Sequence, residues 1–194
     1  GYYVRWSGQF EYLERANARL KIVVPATLLV ILFLLWLNFR RISDTLIVML
    51  SLPCALAGGF WLMWAMGFNM SVAAAVGFIA LAGVAAETGV VMLIYLNNAL
   101  AEATAQAALE GRAMRQSELI AAVMKGAVDR VRPKMMTVAA IMAGLIPILW
   151  ATGTGSEIMQ RIAVPMIGGM VSSTALTLAV IPALFYLVHV RREA

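Results

Sequence analysis

Charge is what this sequence has least of: Asp, Glu, Lys and Arg together make up 13% of its 194 residues, whereas 62% are hydrophobic. Soluble globular domains run at roughly 45–50% apolar and about 25% charged, so a water-soluble fold is excluded and the chain reads as an integral membrane protein. One cysteine, Cys54, excludes a disulfide framework and any cysteine-based zinc or iron–sulfur site. One histidine, His189, leaves no His–Asp set to activate a serine, so an intramembrane protease of the serine type is disfavoured and no enzyme activity is expected. Cys54 reads as packing within a span and His189 as an interface residue. The first residue is Gly1, and no charged leader with a cleavage motif precedes the apolar segments, so the chain reads as a piece of something longer. A net charge of +5 would hint at nucleic acid in a soluble chain. In a membrane chain it points to basic cytoplasmic loops, and no nucleic-acid partner is expected.

What the sequence does have is long uncharged runs. No charged residue stands between Asp44 and Glu87, which is room for two spans of roughly 20 residues. The uncharged Gly67-Phe68-Asn69-Met70-Ser71 divides them. Spans are expected at 22–39, 45–67, 71–97, 135–151 and 159–188, an all-α bundle of five transmembrane helices lying among membrane lipid. Arg40 and Arg41, then Arg112, Arg115, Lys125, Arg130, Arg132 and Lys134, then Arg191 and Arg192 fall on one side, which the positive-inside rule makes cytoplasmic. Arg5, Arg15, Arg19 and Lys21 lie on the other side and weaken this bias without reversing it. The segment 98–134 is the one long polar connection. Ser117 is a candidate cap for an amphipathic helix whose residues Leu119, Ile120, Val123, Met124, Ala127, Val128 and Val131 form one apolar face. It reads as an interfacial helix on the cytoplasmic surface, or more plainly as a solvated loop helix.

Glu87 is expensive where it stands. A carboxylate about 15 Å from the end of a span costs several kcal/mol unless it is protonated, paired or wetted, which makes it a proton-relay candidate. A protonated, hydrogen-bonded packing residue is the alternative, with Ala85, Ala86 and Gly89 leaving room for a close helix neighbour. Lys134, opening the fourth span, reads on its own chemistry as a snorkelling lysine rather than a relay member. Thr137, three residues on, is placed to hydrogen-bond its own helix. Thirteen methionines are mostly adaptable filler. Met63, Met66 and Met70 are expected on one helix face, as are Met159, Met166 and Met170. Thioether sulfur selects Cu(I) and similar soft ions, and Met159, beside the outer mouth, is the metal candidate. Gly58-Gly59 and Gly168-Gly169 point to close helix crossings.

Four stretches carry a resemblance: Trp6-Ser7-Gly8-Gln9-Phe10-Glu11-Tyr12, Gly77-Phe78-Ile79-Ala80-Leu81-Ala82-Gly83-Val84-Ala85-Ala86-Glu87, Arg130-Val131-Arg132-Pro133-Lys134-Met135-Met136-Thr137 and Gly155-Ser156-Glu157-Ile158-Met159-Gln160-Arg161. Together they resemble the C-terminal part of heavy-metal efflux pumps of the resistance-nodulation-division (RND) superfamily, of the copper- and silver-exporting CusA/SilA type. Glu87 is the more telling position, since drug-exporting relatives look to carry a lysine there and divalent-cation pumps an apolar residue.

The resemblance implies a secondary active transporter of the bacterial inner membrane, a homotrimer with twelve helices per subunit. Proton influx would drive Cu(I) or Ag(I) export through a periplasmic adaptor and an outer-membrane channel. Residues 1–21 would end a periplasmic region and the C-terminus would be cytoplasmic. Glu87 and Lys134 match proton-relay members, Arg130 and Thr137 match relay-associated positions, and Met159 matches a metal-passing methionine. No cofactor is implied beyond the transported ions and protons. A divalent-cation or drug pump of the same superfamily is the competing reading, and an inactive membrane scaffold another. The rest of the pump, including a relay aspartate and the periplasmic methionine site, would lie outside this chain, as a truncated record or one half of a split pump.

Overall fold

The computed structural model describes residues 9–193. Residues 1–8, with the Trp6-Ser7-Gly8 stretch and the start of the expected periplasmic region, lie outside them. The described chain is helical: α1 is Gln9–Phe39, α2 Ile42–Ala65, α3 Val72–Leu109, α4 Gln116–Leu145 continued by the 3-10 turn Ile146–Trp150, and α5 Ser156–Glu193. All five helices are long and apolar enough to cross a membrane.

The chain divides into two compact units, residues 1–40 and 41–194. The first is α1, in which the residues expected as the first span continue a helix that starts at Gln9. Glu11 and Arg15 pair one turn apart near its start, and Arg40 at φ 51° closes it in the left-handed region.

In the second unit α5 packs against α2, α3 and α4, and α3 lies between α2 and α4, which do not touch each other. What brings these helices together is small residues, because in lipid an apolar side chain gains little by leaving one hydrocarbon surface for another. A Cβ at Gly58 would lie 2.2 Å from Ser172 Oγ, and one at Gly168 would lie 2.5 Å from the Gly58 carbonyl oxygen. The close crossings expected at these glycines are therefore present and are one and the same, between α2 and α5, and Ser172 Oγ seals it by donating to the Ala55 carbonyl at 3.0 Å. Gly77 meets α5 and Gly126 meets α3 in the same way: a Cβ would come 2.5 Å from the Ile162 carbonyl oxygen or 2.9 Å from that of Tyr95. Met63, Ala74, Phe78, Leu81, Val164 and Met170 fill the core between these crossings.

Five local expectations change. Cys54 faces outward from α2 rather than into the packing. Met63, Met66 and Met70 share no face, because α2 ends at Ala65 and Gly67 turns the chain at φ 71°. The amphipathic stretch is no separate helix but the first half of α4, continuous through Pro133 with the fourth span. Its apolar face is also divided: Leu119, Val123 and Ala127 are buried in the bundle, while Ile120, Met124, Val128 and Val131 are exposed. Ser117 does not cap it. Glu118 does, accepting from the Arg115 N–H at 2.9 Å while both its oxygens take the Arg112 guanidinium at 2.8 and 2.6 Å. This carboxylate, with that of Glu110, holds the Arg112 guanidinium pKa above its usual range.

Candidate functional site

Glu87 stands near the middle of α3, 15 residues beyond Val72, or about 22 Å along the axis. Its neighbours Ala85, Thr88 and Gly89 are buried against the bundle, which turns the Glu87 carboxylate to the opposite, exposed face. Among the described residues it has no hydrogen-bond or ion-pair partner. Intramembrane carboxylates face a bundle interior or a wetted cavity, so this face of α3 is built to meet something other than lipid tails.

The other candidates come from α4, which runs antiparallel beside α3. Lys134 does not snorkel. It is 2% exposed, and Lys134 Nζ donates across to Thr177 Oγ1 of α5 at 3.5 Å, while that hydroxyl donates in turn to the Ser173 carbonyl at 2.6 Å. Helix α5 thus holds the ammonium inside the bundle, and none of the ion pairs among the described residues joins it to Glu87. Thr137 is exposed and donates to the Pro133 carbonyl of its own helix at 3.1 Å, as its position implied. The Arg130 guanidinium lies over the Tyr95 ring, 5.8 Å from the centroid, and its Nε is buried without a hydrogen-bond partner.

Met159 sits in the first turn of α5, 58% exposed. Met166 is half-buried and Met170 buried, so this methionine face passes from the surface into the core. Among the described residues no three His, Cys, Asp or Glu side chains gather to hold a metal ion.

Two further polar groups, Asp44 and Thr177, carried no expected role, and His189 differs from its expected one. Asp44, 1% exposed, accepts from Asn97 Nδ2 at 3.2 Å through one oxygen, while Oδ1 is buried without a partner. Thr177 is the hydroxyl that receives Lys134. His189 is no interface residue: it is buried, stacked on Phe185 with centroids 4.1 Å apart, and Nδ1 lies 2.9 Å from the Phe185 carbonyl. The Phe185–His189 spacing of one turn was a visible signal for that contact. For Asp44 the only signal was its place as the last charge before the uncharged run.

A buried ammonium, an outward carboxylate at mid-span and an exposed methionine at one mouth make a set suited to moving ions, and the family model for AcrB, AcrD and AcrF matches residues 1–189. The chain belongs to the AcrB/AcrD/AcrF family. Within it, the chain is 55% identical over 191 residues to the cation efflux system protein CusA of Escherichia coli (strain K12), covering 98% of this chain and 18% of that protein. It is 54% identical over 190 residues to the putative cation efflux system protein SilA of Salmonella typhimurium, again 98% of this chain and 18% of the relative. The fold is similar to the crystal structure of a heavy metal efflux pump, with a TM-score of 0.79 and 34% identity over 96% of this chain and 17% of that one. The chain thus spans about a fifth of the length of these AcrB/AcrD/AcrF relatives. Glu87, Lys134, Arg130, Thr137 and Met159 all lie inside the matched residues.

Proposed function

We propose that this chain forms the C-terminal membrane part of a proton-driven efflux transporter for Cu(I) and Ag(I) in a bacterial inner membrane, a proton/metal antiporter rather than an enzyme. Glu87 carries the proposal. A carboxylate at mid-span that faces away from its own bundle needs a polar or wetted partner surface, which the remainder of a larger transporter would supply. In that setting Glu87 takes up and gives up the proton. Lys134, tethered by Thr177, and Arg130 supply positive charge on the adjacent helix, and Thr137 offers an exposed hydroxyl one turn beyond Pro133 on that helix.

The transported ion is substrate, and no resident cofactor is needed. Met159, exposed in the first turn of α5, offers a soft sulfur where Cu(I) or Ag(I) would arrive. The basic residues put the 110–115 turn and the C-terminus on the cytoplasmic side and the start of α1 on the periplasmic side. The exposed stripe Ile120, Met124, Val128 and Val131 then lies at the cytoplasmic membrane surface. A homotrimer with a periplasmic adaptor and an outer-membrane channel is the assembly proposed for the whole transporter.

The test is metal tolerance in cells that depend on the complete transporter containing this segment. Glu87→Gln keeps shape and removes ionisation, and is expected to abolish copper and silver tolerance while assembly and membrane content stay normal. Unchanged tolerance refutes the relay role. Met159→Ile is expected to lower copper and silver tolerance partially. A profile in which zinc or cobalt tolerance falls instead assigns the transporter to divalent cations.

A further inference from the structure

Helix α3 carries more polar chemistry on the Glu87 face than the proposed relay uses. Tyr95, Asn98 and Glu102 follow Glu87 toward the end with the 110–115 turn, and all four are exposed. At 3.6 residues per turn they fall within about 80° of one another around the helix. Helix α4 sets a cation against this stripe twice. Lys125 donates to Glu102 at 2.7 Å, a solvated pair with both side chains 61% exposed. Arg130 is different: it faces the Tyr95 ring, and its Nε is buried without a partner. The contact is set by backbone, because Gly126 presses α4 so close to Tyr95 that a Cβ there would come 2.9 Å from the Tyr95 carbonyl oxygen.

We infer that Tyr95 is the positioning residue for Arg130: its ring face fixes the guanidinium beside the relay helix, between Glu87 and the solvated Glu102–Lys125 pair. This rests on the relay reading of Glu87, Lys134 and Arg130. A carboxylate partner would neutralise Arg130. A π face attracts a cation through the ring quadrupole and leaves its full charge acting on the surroundings. That charge repels Lys134, one turn further along α4, and acts by the same repulsion on each proton moving between Glu87 and the solvated end, which the permanently protonated guanidinium cannot itself accept. The other charged or titratable groups near this end are Asp129, Lys125 and Arg132 on α4, Asp44 brought to Asn97 by α2, Tyr186 and His189 on α5, and the cluster of Glu110, Arg112, Arg115 and Glu118 at the turn. Of the described residues, Tyr95 alone offers Arg130 an aromatic face.

The decisive measurement is proton-coupled silver export by the complete transporter in proteoliposomes across a pH series, with Glu87→Gln assayed beside each variant. Tyr95→Phe keeps the π face and is expected to stay within about twofold of the parent at every pH. Tyr95→Met keeps bulk without a π face and is expected to slow export about tenfold and displace the pH profile, the size expected for a partly desolvated cation–π contact. In an Arg130→Gln background Tyr95→Met should have no further effect, since the cation it positions is gone. Tyr95→Gln repeats the measurement should Tyr95→Met not assemble. Equal damage from Tyr95→Phe and Tyr95→Met overturns the inference in favour of the hydroxyl, and an unshifted pH profile in Tyr95→Met with Glu87→Gln inactive overturns it while leaving the relay standing. Export that survives Glu87→Gln refutes the relay itself.

Discussion

Gly168→Ala tests whether close backbone approach, rather than apolar burial, holds α2 to α5. The new Cβ would lie 2.5 Å from the Gly58 carbonyl oxygen and 2.6 Å from Leu62 Cβ. Neither atom can rotate away, because one is backbone and the other is fixed to it. Restoring ordinary contact requires the helices to part by about 1 Å, at an overpacking cost of about 1–3 kcal/mol. That displacement also stretches the 3.0 Å Ser172 Oγ donation to Ala55, a bond worth about 1 kcal/mol. Against this, Ala gains about 1 kcal/mol over Gly in a helix interior, leaving a net loss of about 1–3 kcal/mol. Gly89→Ala is the matched control. It is buried, where Gly168 is half-buried, but its Cβ would meet Ser51 Oγ and Val48 Cγ1 at 3.4 Å and Ile181 Cδ1 at 3.7 Å, ordinary van der Waals distances. It should therefore be neutral or stabilising by up to about 1 kcal/mol. Unfolding midpoints of the two variants in the same detergent, with the parent between them, give the result. If Gly168→Ala is as stable as Gly89→Ala, the crossing is not the constraint inferred for it.

Asp44→Ala removes the carboxylate that receives Asn97 and leaves the amide without that partner. It should cost about 1–3 kcal/mol in the same unfolding assay, with Asp44→Asn losing less. Thr177→Val takes away the hydroxyl that receives the buried Lys134 ammonium, and a loss of about 1–3 kcal/mol is expected. Thr177→Val should add little once Lys134 is already Met, because the ammonium that needed the hydroxyl is gone, and full additivity would argue against the contact. Glu118→Gln weakens the two-pronged grip on Arg112 and the cap on α4, so trypsin should cut faster at Arg112 and Arg115. An unchanged digestion rate would mean the turn is held by its backbone bonds alone.

The five helices were legible because charge is excluded from a span and concentrated at its ends. Their interfaces were legible only where the sequence uses small residues, as at Gly58 and Gly168. Hydrophobicity could not say which way an apolar side chain faces. In lipid both faces of a helix are apolar, so Cys54 and the 63, 66 and 70 methionines were misplaced by the reasoning that works for a soluble core. Helix ends, unlike span ends, carry no mark in the charge pattern. The helix that carries the expected 71–97 span runs Val72–Leu109, because nothing in the Ala-, Glu- and Gln-rich sequence after 97 stops it. The site divides along the same line. Glu87 stood out because a lone carboxylate in an uncharged run has no ordinary explanation, and its outward direction gives the isolation a physical meaning: the packing of residues 41–194 buries Ala85 and Gly89 on one side of α3 and leaves its one mid-span carboxylate on the other. Lys134 could not be separated from a snorkelling lysine by spacing. Only the position of α5, which brings Thr177 to it across 43 residues of sequence, turns it inward. Tyr95, Asn97 and Asp44 were invisible for the same reason, since each matters through a partner on another helix. What local sequence revealed were residues whose placement is costly in itself, and what it concealed were residues whose cost is relieved at long range.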